Sequence, residues 1–273
     1  MKEILKTIFY KFAPYLFSWR GQQRINIVKT IYYNFRLFPF DIAKKLPLYI
    51  YHGVKTYKMG AICIEGKIKR RMITIGAFNL KAQGVSKILN RGKIIFKGPV
   101  ILGGSTIIEN MGVIVFEGET LVAEGTTFLV HNKLVIGKYT RIGFCCLLTD
   151  SDYHYMINVM TGEVKPKKKE IIIGKYNWIA GCTTVKKGTY TPDYTIAASN
   201  SLLCKDYRDT LPPYSIIGGT PAKLITFGYR RIFNMTEEES LDNYFMDNKE
   251  QPCTIDLENT DIETFCINDP LKF

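Results

Sequence analysis

The amino-acid sequence predicts an all-β chain wound into a parallel β-helix, with helical appendages at its N- and C-terminal ends. Two observations carry this prediction. Phe96, Phe116 and Ile136 stand 20 residues apart, twice in succession, in the similar segments Lys93-Ile-Ile-Phe96-Lys-Gly98, Val113-Ile-Val-Phe116-Glu-Gly118 and Lys133-Leu-Val-Ile136-Gly137. Within this spacing runs a finer beat of six: Leu102, Val122 and Ile142 each follow the first set by six residues. From 173 to 197 the beat is unbroken, through Ile173-Gly174, Ile179-Ala180-Gly-Cys-Thr183, Val185-Lys-Lys-Gly-Thr189, Thr191-Pro-Asp-Tyr-Thr195 and Ala197-Ala-Ser-Asn-Ser201.

Each unit reads as an aliphatic residue, a small or acidic one, two free positions, a small Ser/Thr/Ala/Val-like residue and one more free position. A period of six fits neither an amphipathic helix nor a simple alternating strand. It suits one short strand and one tight corner. Three such units close a triangular coil of about 18 residues, whose aliphatic positions point inward and stack on the next coil. The small fifth residue fits the crowded corner, and Gly or Asn accepts its unusual dihedrals. The spacing of 20 is then a coil of 18 with a two-residue bulge at one corner.

The elements follow in order. Residues 1–45 lack the beat; Ile4, Ile8, Phe9, Phe12, Leu16 and Phe17 fall on one helical stripe, and 22–37 also read as helix. Residues 1–58 hold 11 basic residues against Glu3 and Asp41. Two readings stand for this segment: a helical cap on the solenoid end, and an amphipathic foot making peripheral contact with an anionic membrane. The solenoid is expected over 46–226, with irregular first coils at 46–92 and a loop at 154–170 that carries the run Lys165-Pro-Lys-Lys-Lys169. Residues 227–273 supply a helix at 236–248, with Thr236 as N-cap and Glu239 three residues on, and an acidic tail that is either disordered or wrapped onto the basic body.

The 273 residues are 46% hydrophobic, enough for one sizeable core. The net charge of +12 is uneven: residues 232–273 hold 11 acidic and 2 basic residues, so they carry −9 and the rest +21. Such a basic body suits nucleic acid, a phosphorylated donor or an anionic membrane; with no helix-turn-helix, zinc-finger or RNA-recognition pattern, nucleic acid is not expected. The seven Cys form no C-x-x-C pair. With no signal-peptide pattern and no run of 18 apolar residues, a cytoplasmic location is expected, at the inner face of the membrane if the basic foot engages it.

Of the three His, His52 and His131 sit in an irregular stretch and a corner bulge, where surface or turn roles fit. His154 closes Thr149-Asp-Ser-Asp-Tyr-His154 as the regular coil exits into the loop, with Asp150 and Asp152 within four residues. An imidazole beside carboxylates is the usual general base near neutral pH. Cys145 and Cys146 lie in the coil and read as structural. The His spacings of 79 and 23 do not suit a three-His metal site, and no metal is expected.

Three segments go further. Asp150-Ser-Asp152-Tyr-His154 resembles the D-x-D-[FY]-H element of bacterial polysaccharide and sugar O-acetyltransferases. Ile171-Ile-Ile-Gly-Lys-Tyr-Asn-Trp178-Ile-Ala-Gly181 resembles their I-x-I-G-x-x-[VN]-W-I-G segment, and Pro212-Pro-Tyr-Ser-Ile-Ile-Gly-Gly-Thr-Pro221-Ala222-Lys223-Leu-Ile their closing P-x-x-[SV]-x-[VI]-x-G-x-P-A-[KR]-x-I. With the repeats, the resemblance to the hexapeptide-repeat acyltransferases spans about residues 60–226. It departs at Ala180 (usually Gly), at Cys204 (usually Thr) and at 206–211, which lengthen the link to the prolines.

The resemblance implies a left-handed coil, acetyl-CoA as donor, a saccharide acceptor from surface or capsular polysaccharide synthesis, and a homotrimer with sites between subunits. His154 would deprotonate the acceptor hydroxyl, Asp152 or Asp150 would orient it, and transfer would be direct. Trp178 and Gly181 would flank the pantetheine, Ser199 and Cys204 line its path, and Lys205 and Lys223 meet the CoA phosphates. Transfer to an amino sugar or to serine, and a noncatalytic solenoid that binds a partner, are the alternatives.

Overall fold

The computed structural model describes residues 24–77 and 84–267. The chain winds three parallel sheets around one core. One face runs in the order Ile50, Ile75, Leu102, Val122, Ile142, Ile179, Ala197, Ile217. The second runs through Ile88, Ile108, Phe128, Leu148, Val185 and Leu203, and the third through Ile64, Phe96, Phe116, Ile136 and Ile173. The chain visits the faces in that order, so each corner recurs once per coil. All of the ladder residues except Ile64 are buried, and Phe96 stacks on Phe116 with ring centroids 5.3 Å apart. The predicted parallel coil is therefore present, with every aliphatic beat from 173 to 197 pointing inward.

The two extra residues of the 20-residue coils sit at the second-to-third corner. Six positions separate Phe128 from Leu134, but only four separate Val185 from Thr189, which occupies the equivalent place beside Ile171. This is the corner that holds His131 and, one coil on, the loop. The small fifth residues close the first-to-second corner from inside: the Thr106, Thr126 and Thr183 hydroxyls donate to the carbonyls of Gly103, Gly143 and Ala198 at 2.8, 3.0 and 3.1 Å. Buried carbonyls that the sheets leave unpaired thus keep partners. The third-to-first corner repeats a tyrosine in the left-handed region, at Tyr139, Tyr176, Tyr194 and Tyr214. Their rings form a ladder with centroids 5.1, 4.8 and 5.2 Å apart.

Helix α1 (Ile27–Leu37) and the single turn α2 (Phe40–Ala43) precede the first coil. α1 begins later than the expected 22, because Ile25 pairs with Tyr51 and Asn26 caps the helix by accepting from the Lys29 N–H. Its fully buried side chains are polar, while Tyr33 and Leu37 pack half-buried on the core. Asn34 Nδ2 donates to the Leu48 carbonyl at 2.6 Å while its Oδ1 accepts the Leu48 N–H, and the Thr30 hydroxyl oxygen accepts the Ile50 N–H. These side chains occupy the open edge of the first face, the position at which a bare strand would invite pairing with another chain. The apolar stripe expected within residues 4–17 lies outside the described residues.

At the other end, helix α3 spans Met235–Asp247. Its N-cap is Asn234, whose Oδ1 accepts the Thr236 N–H at 3.1 Å, not Thr236 as the capping-box pattern suggested. Asn234 is buried with its amide near the Thr264 carbonyl, so it is held in the extended cap conformation and Thr236 becomes the second helical residue. Helix α4 (Ile262–Cys266) brings the acidic tail back onto the body. Arg230 donates to both Glu263 oxygens at 2.7 and 3.0 Å, and its guanidinium lies over Tyr194 at 4.4 Å. The Phe233 N–H donates to the Cys266 carbonyl. Of the two readings of the tail, wrapping is the one observed through Ile267.

Candidate active site

The second-to-third corner supplies the neck of the 154–170 loop. Backbone bonds run from Asp152 N–H to Lys167 O and from Lys169 N–H to Asp150 O, and Ser151 pairs antiparallel with Lys168. Further out, Ile157 pairs with Val164, so the loop is a hairpin turned at Thr161-Gly162. Tyr153 sits at φ 62°, its ring edge-on to His131 with centroids 4.7 Å apart. His154 follows at the hairpin's base, exposed, its N–H donating to the Asp152 carbonyl at 2.7 Å. It lines an open cleft of about 340 Å³ with Asp152, Met156, Glu163, Lys167 and Lys187.

The two aspartates, either of which was expected to orient His154, have different partners. Asp150 is fully buried, and its two oxygens accept the N–H groups of His131 and Asn132, each at 2.7 Å. This carboxylate pins the neck to the bulged corner of the preceding coil. Asp152 is gripped by Lys187 at 2.7 Å and Lys186 at 3.3 Å. The Lys187 contact above all holds its carboxyl below the usual carboxylate range. Asp152 reaches His154 through the backbone carbonyl. Lys186 and Lys187 were not anticipated, although their offset from Leu148 to Val185 is that of the coil, which carries Asp150 onto Lys187.

The candidate donor residues divide between corners. Cys204 and Lys205 lie on the His154 edge, one coil beyond Lys187, and line a neighbouring cleft of about 500 Å³ with Lys165, Lys169 and Lys187. Gly181 and Ser199 lie on the first-to-second corner, where a Cβ on Gly181 would meet the Phe144 ring at 2.8 Å. Lys223 is on the antiparallel strand that closes the first face, opposite Gly218. Trp178 stands on the outer side of the first face, under the Arg231 guanidinium at 4.8 Å. The structure thus sets Cys204 and Lys205 on the same edge as His154, in the neighbouring cleft that shares Lys165 and Lys187 with its own, but leaves Trp178, Gly181, Ser199 and Lys223 beyond the width of the second face.

The paired cysteines differ. Cys146 is buried, its thiol pushed up to about 11 by burial, while Cys145 is exposed at a corner in the left-handed region. Among the described residues, no three His, Cys, Asp or Glu side chains converge to hold a metal ion.

No protein-family model matches the sequence, and no curated protein matches it. Among solved structures, the chain is similar to the polysialic-acid-specific acetyltransferase NeuO, at 17% identity over 74% of this chain and 94% of that one, with a TM-score of 0.43. It is also similar to the hexapeptide-repeat acetyltransferase VCA0836 of Vibrio cholerae, solved with acetyl-CoA, at 16% identity over 76% and 80% of the two chains, with a TM-score of 0.36. A third is AntD, an N-acyltransferase of Bacillus cereus solved with CoA, at 13% identity over 78% and 98%, with a TM-score of 0.29. The three-sheet parallel β-helix itself stands on this chain's own strand registers.

Proposed function

We propose that this chain transfers an acetyl group from acetyl-CoA to a saccharide hydroxyl, with His154 as the general base. The observation that carries the reading is the neck of the hairpin, which sets His154 on the rim of an open cleft with Lys205 on the same edge. The three sequence segments that resemble sugar O-acetyltransferases support the same reading. The imidazole takes the acceptor hydroxyl's proton as its oxygen attacks the thioester carbonyl carbon. A backbone N–H of the neighbouring coil stabilises the resulting oxyanion. Collapse breaks the carbon–sulfur bond, and the imidazolium returns the proton to the CoA thiolate. Asp150 fixes the neck, and Asp152 with its two lysines sets the charge beside the imidazole.

The donor would lie between two subunits of a trimer. This is how residues on separate corners of one chain can serve one site: Trp178, Gly181, Ser199 and Lys223 of one subunit would face His154, Cys204 and Lys205 of the next. The hairpin offers the bridging surface, since Val159 and Met160 at its tip are 85% and 88% exposed. The body over 46–226 would carry all of the chemistry, with 1–45 and 227–273 as appendages. The deciding experiment incubates the protein with acetyl-CoA and a panel of saccharides and follows free CoA. Release that depends on a hydroxylated sugar and is lost in His154→Ala supports the reading; release that needs an amine instead redirects it to N-acetylation, and no release with any acceptor refutes it.

A further inference from the structure

Helix α1 is built the wrong way round for a helix that only caps a core. Its inner side carries the fully buried Thr30 and Asn34, committed to the edge of the first face, with the half-buried Tyr33 and Leu37 packed on the core beside them. Its outer side carries Ile27, Val28, Ile31, Tyr32 and Phe35, all exposed, with Val28 78% exposed. At 100° per residue these five positions span an arc of about 140°. Phe40, 71% exposed at the head of α2, extends the arc, its ring 6.0 Å from that of Phe35. An amphipathic surface helix normally turns its widest apolar arc to the core; here the core side is taken by the sheet-edge hydrogen bonds of Thr30 and Asn34 with Tyr33 and Leu37 beside them, and a second, wider apolar arc faces outward.

The charge around the arc says what covers it. Residues 24–45 carry Arg24, Lys29, Arg36, Lys44 and Lys45 against the single acid Asp41. Lys44 and Lys45 line one open cleft with Arg70 of the first coils. The chain before the described residues adds Lys2, Lys6, Lys11 and Arg20 against Glu3. An outward apolar face framed by cations suits an anionic, apolar-centred surface and repels a second copy of itself. Among the described residues no helix is long and apolar enough to cross a membrane, so the fit is to lying on one. We propose that the α1 face docks on an anionic lipid surface, with Ile27, Val28, Ile31, Tyr32 and Phe35 entering the headgroup–acyl boundary and Arg36, Lys44 and Lys45 meeting lipid phosphates, while Lys29 is held by the Val54 carbonyl. The solenoid would then stand on its first coil and hold the His154 corner away from the bilayer.

The test is sedimentation of the full chain with vesicles of equal parts phosphatidylglycerol and phosphatidylcholine, against vesicles of phosphatidylcholine alone. The wild type should partition into the anionic vesicles preferentially, and the preference should fall as salt rises. Val28→Asp with Phe35→Asp should cut partitioning at least about tenfold, roughly what two large apolar contacts contribute, with an unchanged thermal midpoint because both side chains are exposed. Lys44→Ala and Lys45→Ala should each cost about fivefold on anionic vesicles and nothing on neutral ones. Equal partitioning into both vesicle types, or an unchanged Val28→Asp/Phe35→Asp variant, overturns the proposal. So does a wild type that stays in solution, the result expected if residues 1–23 or a second copy cover the face. The readout involves no turnover, so its failure leaves the proposed acyl transfer standing.

Discussion

Asp150 offers the sharpest perturbation, because its role rests on two short bonds to buried backbone. Both oxygens accept N–H groups of the preceding coil at 2.7 Å, and the side chain is fully buried. Hydrogen bonds to a charged acceptor contribute roughly 1.5–3 kcal/mol each, so Asp150→Ala should cost about 3–6 kcal/mol. It removes both acceptors and leaves two N–H groups facing a void. Asp150→Asn keeps one carbonyl oxygen but turns an NH₂ towards a backbone donor; it should lose about half as much. The assay is denaturant unfolding of both variants, with hydrogen exchange at His131 and Asn132 as the local readout. Exchange there should accelerate in both variants, and acyl transfer should fall with it because the neck positions His154. A loss below about 1 kcal/mol for Asp150→Ala, with protection retained, would refute the argument that this carboxylate holds the corner.

His154→Ala should lose at least about 10²-fold in turnover, the usual scale for a general base, without loss of stability; near-normal turnover removes it from the mechanism. Lys205→Ala and Lys223→Ala should each raise the donor KM about tenfold or more, as loss of a charge-assisted phosphate contact, with the effect shrinking in high salt. Lys165, Lys168 and Lys169 line the cleft with Lys205, so a donor effect confined to them, with Lys205 and Lys223 silent, puts the phosphates on the hairpin instead. Asp152 has a depressed pKa in the folded chain, so its contribution is present above the usual carboxylate range and is lost as the pH falls below it. Protection factors at the neck, taken relative to the intrinsic exchange rate at each pH, should therefore hold between pH 7 and the upper end of that range and fall below it, and this acid sensitivity should shrink in Lys187→Ala, which leaves only the Lys186 contact. Light scattering should give three times the chain's 31.3 kDa; a monomer at micromolar concentration would count against both the trimer and a shared site.

Much of the tyrosine ladder and of the lysine grip on Asp152 was legible in principle. Tyr176, Tyr194 and Tyr214 recur at the coil's own spacings, as Lys187 recurs one coil after Asp150. What hid them is that the free corner positions of the repeat tolerate any exposed residue, so their chemistry shows only when coils are laid over each other. The Asn234 cap is a different case. Asn234 and Thr236 are both good caps, and the choice fell to Asn234 because the returning tail buries it beside Thr264.

The sequence by itself determined the coil, its three faces and which residues point inward. A period of six is a local property repeated many times, and each repeat meets only its neighbours, so inside and outside follow from the beat alone. The end of the beat puts the loop at 154–170, whereas the antiparallel neck already begins at Asp150 and Lys169, because the backbone pairing of the hairpin leaves no mark on the six-residue pattern. Only the tertiary structure decided which groups the exit brings together. Asp150, four residues from His154 in sequence, spends both oxygens on backbone 18 and 19 residues earlier, since buried N–H groups at a bulged corner must be paired wherever an acceptor is found. The same demand turned α1 around: the open sheet edge at Leu48 and Ile50 took Thr30 and Asn34 inward, and the wider apolar arc was left facing out.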